Sequence, residues 1–118
     1  MNESAVKAMA ERQGIYETLA GMGREVVIEI PLYADFTGLP IEELNLGARS
    51  FNGLKRAGIN TVGRLAKAVS ENELPRIRNL GKVSIREINE TLLNESYSRL
   101  SESAKDSFIT GTMERNGI

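Results

Sequence analysis

The sequence predicts a mainly α chain. A small bundle of four to five helices, built from helix–turn–helix hairpins, occupies residues 41–94. An N-terminal helix and one short extended strand precede it (residues 1–40), and a helical tail follows (residues 95–118). Three observations predict this. Between Ile41 and Leu93, short apolar-periodic segments are punctuated by glycines and helix-capping residues. Only one run, Glu25 to Ile30, is rich in β-branched residues, and one strand alone is not a sheet. Tyr97, Leu100, Ala104 and Phe108 recur at helical spacing.

Residues 4–20 read as a single amphipathic helix with Ala5, Met9, Ile15 and Leu19 roughly on one side, stopped by Gly21-Met22-Gly23. The strand after it ends at Pro31 and either pairs with its copy in a homodimer or lies extended on the helices. Gly21 and Gly23 follow a helix and precede a strand, the reverse of the order a dinucleotide phosphate loop needs. Thr37-Gly38-Leu39-Pro40 is turn chemistry and marks the boundary.

In the bundle, Ala48 to Ala57 is the first helix, ended by Gly58 where a left-handed cap residue belongs. Thr61 to Ala68 is the second, with Asn60 or Thr61 as N-cap. Ser70-Glu71-Asn72-Glu73 has capping-box spacing and is expected to start a third, brief helix running into Pro75. Lys82 to Leu93 is the fourth, with Ile85, Ile88 and Leu92 facing inward and a break expected near Asn94. The expected core is Leu44, Leu46, Leu54, Ile59, Val62, Leu65, Val69, Leu74, Ile77, Leu80, Ile85, Ile88 and Leu92. Each is worth about 1.5–3 kcal/mol when buried. That suits a small, marginal domain on which the extensions can pack. The tail stripe is expected to pack on the N-terminal extension.

With 41% apolar and 26% charged residues, no run of about 20 apolar residues and no secretory leader, a cytoplasmic protein without membrane contact is expected. Zero Cys and zero His remove disulfides, thiolate or imidazole metal sites and nucleophile–His pairs. Glu42/Glu43 and Glu71/Glu73 sit in cap or surface contexts with nothing to orient them, so no enzyme, metal or cofactor is expected. The net charge of −1 divides into +3 over residues 41–94, −3 before them and −1 after them. A mildly basic core between acidic flanks suits a weak polyanion binder, and an ordinary solvated surface accounts for the charge about as well.

Arg49, Asn52 and Arg56 fall at i, i+3 and i+7, on one helix face, while Phe51 and Leu54 turn to the core. Gly58 and Gly81 each precede a helix whose first N–H groups lack intrahelical acceptors and can meet phosphate. Lys82 stands at the second of these starts, and the Ser84 hydroxyl can reach the same anion. Alone, the glycines are helix punctuation and the polar trio a solvated face. Together they favour nucleic-acid binding.

These residues resemble the C-terminal domain of the bacterial RNA polymerase alpha subunit from about Pro40 to Leu93. Ile41-Glu42-Glu43-Leu44-Asn45-Leu46 matches its lead-in, and Arg49-Ser50 with Asn52 its first-helix signature. Leu54 to Ile59 matches the first hairpin, and Asn79-Leu80-Gly81-Lys82 with Ser84 the second. The resemblance implies a SAM-domain-like bundle with helix–hairpin–helix character that binds double-stranded A·T-rich DNA through the minor groove and also docks transcription activators. It further implies that Arg49 enters the groove, Asn52 supports it, Gly81 and Ser84 contact phosphate, and Glu87 orients its neighbours.

Two positions depart from the family pattern. Val83 replaces a second basic residue, removing a phosphate contact. Gly53 replaces a small side chain and should loosen its helix by up to about 1 kcal/mol. No part of the sequence resembles the alpha subunit's large assembly domain, so a free-standing relative is expected. The alternative to DNA binding is a module docking on RNA polymerase, sigma factor or an activator; an accessory of a nuclease or repair enzyme is third.

Overall fold

The computed structural model describes residues 2–23 and 25–118. Among them are seven α-helices and two 3-10 turns: α1 Glu3–Gln13, α2 Ile15–Ala20, α3 Ala34–Thr37, a 3-10 turn Ile41–Leu44, α4 Ala48–Arg56, α5 Val62–Ser70, a 3-10 turn Leu74–Arg76, α6 Lys82–Ser98 and α7 Glu102–Asn116. No strand occurs among the described residues, so the mainly α class holds without its expected strand. The protein forms two compact units, Leu32–Leu92 and Met1–Pro31 with Leu93–Ile118, and α6 contributes residues to both.

In the unit Leu32–Leu92, helix ends fix the path. Gly58 takes φ 78°, the Gly58 N–H donates to Lys55 O at 3.0 Å, and the Ile59 N–H donates to Leu54 O at 2.9 Å. That is a Schellman stop whose apolar partners, Leu54 and Ile59, are both buried. α5 starts with Thr61, whose hydroxyl accepts from the Arg64 N–H at 3.1 Å. It stops in the same way as α4: Asn72 lies at φ 55° and the Glu73 N–H donates to Ala68 O at 2.8 Å. The expected capping box at Ser70 therefore does not form. Ser70 is the last residue of α5 and its hydroxyl bonds back to Lys67 O. Glu73 is held instead by Arg64, at 3.3 and 3.0 Å, and only a 3-10 turn containing Pro75 follows.

The lead-in is tied down by backbone. The Ile41 N–H donates to Asn60 O and the Val62 N–H to Leu39 O, an isolated antiparallel bridge between Pro40 and Thr61. Phe36 is buried as well, so the sequence-based boundary at Pro40 falls inside this unit. Of the expected core, Leu44, Leu54, Ile59, Val62, Leu65, Leu74, Leu80, Ile88 and Leu92 are buried. Leu46, Val69, Ile77 and Ile85 are only half-buried, as is Phe51, whose ring carries the Lys55 ammonium at 5.8 Å. Ser50 and Gly53 take the inward positions beside Leu54.

In the other unit, the helix expected over 4–20 is broken at Gly14 (φ 91°) into α1 and α2. Gly14 has no side group with which to cap α2. Asn94 supplies the missing acceptor: its Oδ1 takes the Tyr16 N–H at 2.9 Å. The break expected at Asn94 is likewise absent, because α6 runs on to Ser98. Val6, Ala10, Ile15 and Leu19 pack with Leu93, Tyr97, Ile109 and Met113, and Leu100 and Phe108 lie against that cluster. The inward stripe of α1 is thus Val6 and Ala10, with Ala5 exposed and Met9 half-buried. Val26, Ile28 and Ile30 also reach the cluster, at the alternation of an extended segment. Val27 between them finds its partner in the Asn116 amide, which accepts from its N–H at 2.7 Å and donates to its carbonyl at 2.9 Å. A side group thus does what a neighbouring strand would do.

Two outcomes are expected. Asn94→Ala removes the acceptor that caps α2 and should cost about 1 kcal/mol, read from a urea melt. Arg64 holds the Glu73 carboxyl below its ordinary value of 4.5, chiefly by hydrogen bonding. A depressed carboxyl stabilises the fold above its unfolded value and ceases to as pH falls through the folded one. Glu73→Gln should therefore lower the urea midpoint at neutral pH, with the gap from the parent narrowing as pH drops below 4.5.

Candidate nucleic-acid interface

The surface begins at a helix start that its own cap residue cannot satisfy. Gly47, the N-cap of α4, has no side group to offer. Glu87 of α6 replaces it. Its carboxylate accepts from the Gly47 N–H at 3.0 Å and from the Ser50 hydroxyl. In a capping box the acid comes from the third helical residue; here that residue is Ser50 and the acid arrives from another helix. A Cβ at position 47 would lie 3.2 Å from Glu87 Oε2, so glycine leaves the carboxylate its room. Negative charge at this end also suits the helix dipole.

Arg49 stands one residue before Ser50 and is exposed. It lines a depression of about 470 Å³ with Asn52, Gly53, Arg56 and Asn79. It also lines a second depression with Gly47, Ser50, Val83, Ser84 and Glu87. Arg49 is the residue they share. The trio Arg49, Asn52 and Arg56 is therefore exposed on one face, and Arg49 reaches the residues that open α6.

At that opening, Gly81 and Lys82 are exposed and Val83 is 86% exposed. The Ile85 N–H donates to Gly81 O at 3.0 Å, which starts the helix and leaves the N–H groups of Lys82, Val83 and Ser84 without intrahelical acceptors. The positive φ of this turn falls on Asn79, at 67°, and not on Gly81. A Cβ at Gly81 would meet nothing within 4 Å, so no internal packing explains the glycine, and its open backbone can be approached from outside. The expectation that changes is at Ser84, which is only 6% exposed and lies on the buried stripe with Ile88 and Leu92 while still lining the depression.

Gly53 is explained by packing. A Cβ there would come within 2.9 Å of Leu80 Cδ1. The glycine lets the second hairpin close on α4, setting Asn79 beside Asn52 and Arg56. Its cost in helix propensity is spent on that approach.

Two further residues, Arg76 and Arg78, were not singled out from the sequence. Both are exposed and line an open groove with Arg56, Arg64, Glu73 and Asn79. The signal was present in Arg76-Ile77-Arg78-Asn79, a basic turn directly before the second hairpin. Among the described residues no group of His, Cys, Asp or Glu suits a metal ion. No helix of the described residues is long and apolar enough to cross a membrane.

The fold and this surface can be set beside known proteins. The family described as the C-terminal domain of the bacterial RNA polymerase alpha subunit matches residues 31–94, more than half of the sequence. The protein belongs to that family. It is 55% identical over 60 residues to DNA-directed RNA polymerase subunit alpha of Cutibacterium acnes, covering 51% of this protein and 18% of that one. The corresponding subunit of Alkaliphilus oremlandii is 40% identical over 92 residues, covering 75% and 29%. That of Clostridium perfringens is 41% identical over 95 residues, covering 77% and 30%. The matched region thus spans no more than about a third of these relatives. No solved structure matches it.

If Glu87 organises the start of α4, Glu87→Ala should cost about 1.5–3 kcal/mol, the worth of hydrogen bonds to a charged group. Amide hydrogen exchange should accelerate first over residues 47–51, and unchanged protection there would contradict the role.

Proposed function

We propose that this protein is a non-enzymatic DNA-binding module acting in transcription, which holds the minor groove and phosphate backbone of A·T-rich duplex. The observation that carries it is the position of Arg49, common to the depression built by α4 and the one that opens α6. A guanidinium so placed enters a narrow groove, where A·T tracts concentrate negative potential. Asn52 bonds to sugar or base edge beside it, and Arg56 and Lys82 add cations. The free amides of Lys82, Val83 and Ser84 receive a phosphate, with Gly81 leaving the backbone open to it. Ser84 acts mainly through that N–H, its hydroxyl being nearly buried. Glu87 holds the α4 start rather than touching DNA, since both its oxygens are engaged.

The relatives' name, DNA-directed RNA polymerase subunit alpha, supports a place beside polymerase. A second reading keeps the fold but docks it on RNA polymerase, sigma factor or an activator. Val83 favours it: an apolar residue 86% exposed at the mouth of the site suits a protein partner better than a phosphate.

Fluorescence anisotropy with an A·T-rich duplex separates the two. DNA binding predicts measurable affinity that falls as salt rises, by a slope of about 0.9 per phosphate neutralised. Arg49→Ala should weaken it roughly tenfold and relax the preference for A·T over G·C. Equal, negligible binding by both proteins leaves only the docking reading.

A further inference from the structure

Arg64, Arg76 and Arg78, which take no part in the interface built on Arg49 and the opening of α6, line a groove with Arg56 and Asn79. Among its described lining residues four guanidinium groups stand against one carboxylate, Glu73, which Arg64 already engages, an excess of +3 in the lining. Arg56, Gly53 and Asn79 line both this groove and the Arg49 depression, so the two run into one another. We infer that the groove takes the sugar–phosphate backbone of a second strand, facing across the minor groove the strand held at the start of α6, with Arg76 and Arg78 as its phosphate contacts. This rests on the DNA-binding role proposed above and extends its footprint.

Three features favour phosphate over an acidic protein segment. Every cation in the groove is a guanidinium, whose planar fork matches phosphate oxygens. It offers no large exposed apolar side chain: its apolar lining is Ala57, the half-buried Ile77 and Ile59 at 1% exposed, and the large exposed apolar residues of this unit, Leu32 and Val83, do not line it. A protein partner would find no anchor there. Continuity through Arg56 and Asn79 also gives the groove the geometry of a track, as an extended backbone requires. With Arg49 between them, the α6 amides and the arginine groove then divide the two strands.

The test is the salt dependence of binding to A·T-rich and G·C-rich duplexes by the parent protein, Arg49→Ala, Arg76→Ala/Arg78→Ala and Arg76→Lys/Arg78→Lys. Both arginines are exposed, and unchanged melting by circular dichroism verifies that the variants fold. The double alanine variant should lose about 1.8 from the slope of log K against log salt, two contacts at about 0.9 each, with the A·T over G·C ratio unchanged. The double lysine variant should keep most of the slope. If the alanine variant keeps the parent's slope while Arg49→Ala still weakens binding, the groove is not a phosphate track, although DNA binding stands. A double alanine variant that loses the A·T preference also overturns the inference. Absence of duplex binding by the parent protein would remove both proposals.

Discussion

The carboxylate of Glu87 ties the start of α4 to α6, and the rest of the candidate surface follows from that tie. Gly47 cannot cap its own helix, Ser50 faces inward, and one acid from another helix serves both. This fixes where the first turn of α4 lies and so where Arg49 leaves it. Gly53 then allows Leu80 against the same helix, which draws the second hairpin alongside. Residues from distant parts of the sequence are thereby placed on one outer face, and the long Arg49 guanidinium arm has both α4 and the opening of α6 within reach.

The electrostatics are built by subtraction. Residues 41–94 hold only a small excess of cations, and the whole protein is slightly acidic. Several carboxylates of this region are occupied internally: Glu87 by Gly47 and Ser50, Glu73 by Arg64, and Glu42 by Lys55 at 3.5 Å. Arg49, Arg56, Arg76 and Arg78 make no ion pair among the described residues. A modest net charge becomes a basic face because the acids turn elsewhere. Val83 tempers that face with an apolar side chain that is 86% exposed.

Much of the unit Leu32–Leu92 was legible because its signals are local. Gly58 after Arg56 and Thr61 before Val62 speak for themselves, and the spacing of Arg49, Asn52 and Arg56 settles their common face. What escaped was decided by distant partners. Ser70 to Glu73 spells a capping box, but Arg64 takes Glu73 and a left-handed Asn72 closes the helix first. Gly53 reads as a weakness until Leu80 is seen against it. The inward place of Ser84 was hidden because a hydroxyl near a helix start reads as a ligand group. In the other unit, residues 4–20 carry a plausible single helix; its break at Gly14 depends on a cap from Asn94, 78 positions away from Tyr16. The segment Glu25–Ile30 was legible in its alternation, and of its two readings the structure shows the one that lies extended on the helices, with the Asn116 amide supplying at Val27 what a second strand would have given.

The most direct measurement is a backbone-amide NMR titration of the protein with an A·T-rich duplex. Saturable shifts are expected at Arg49, Asn52, Arg56, Asn79 and Gly81 to Ser84, with Glu3–Ala20 and Glu102–Asn116 unmoved. Saturable shifts centred on α1 or α7, with Arg49 and Gly81 unchanged, would contradict a DNA interface built on Arg49 and the opening of α6.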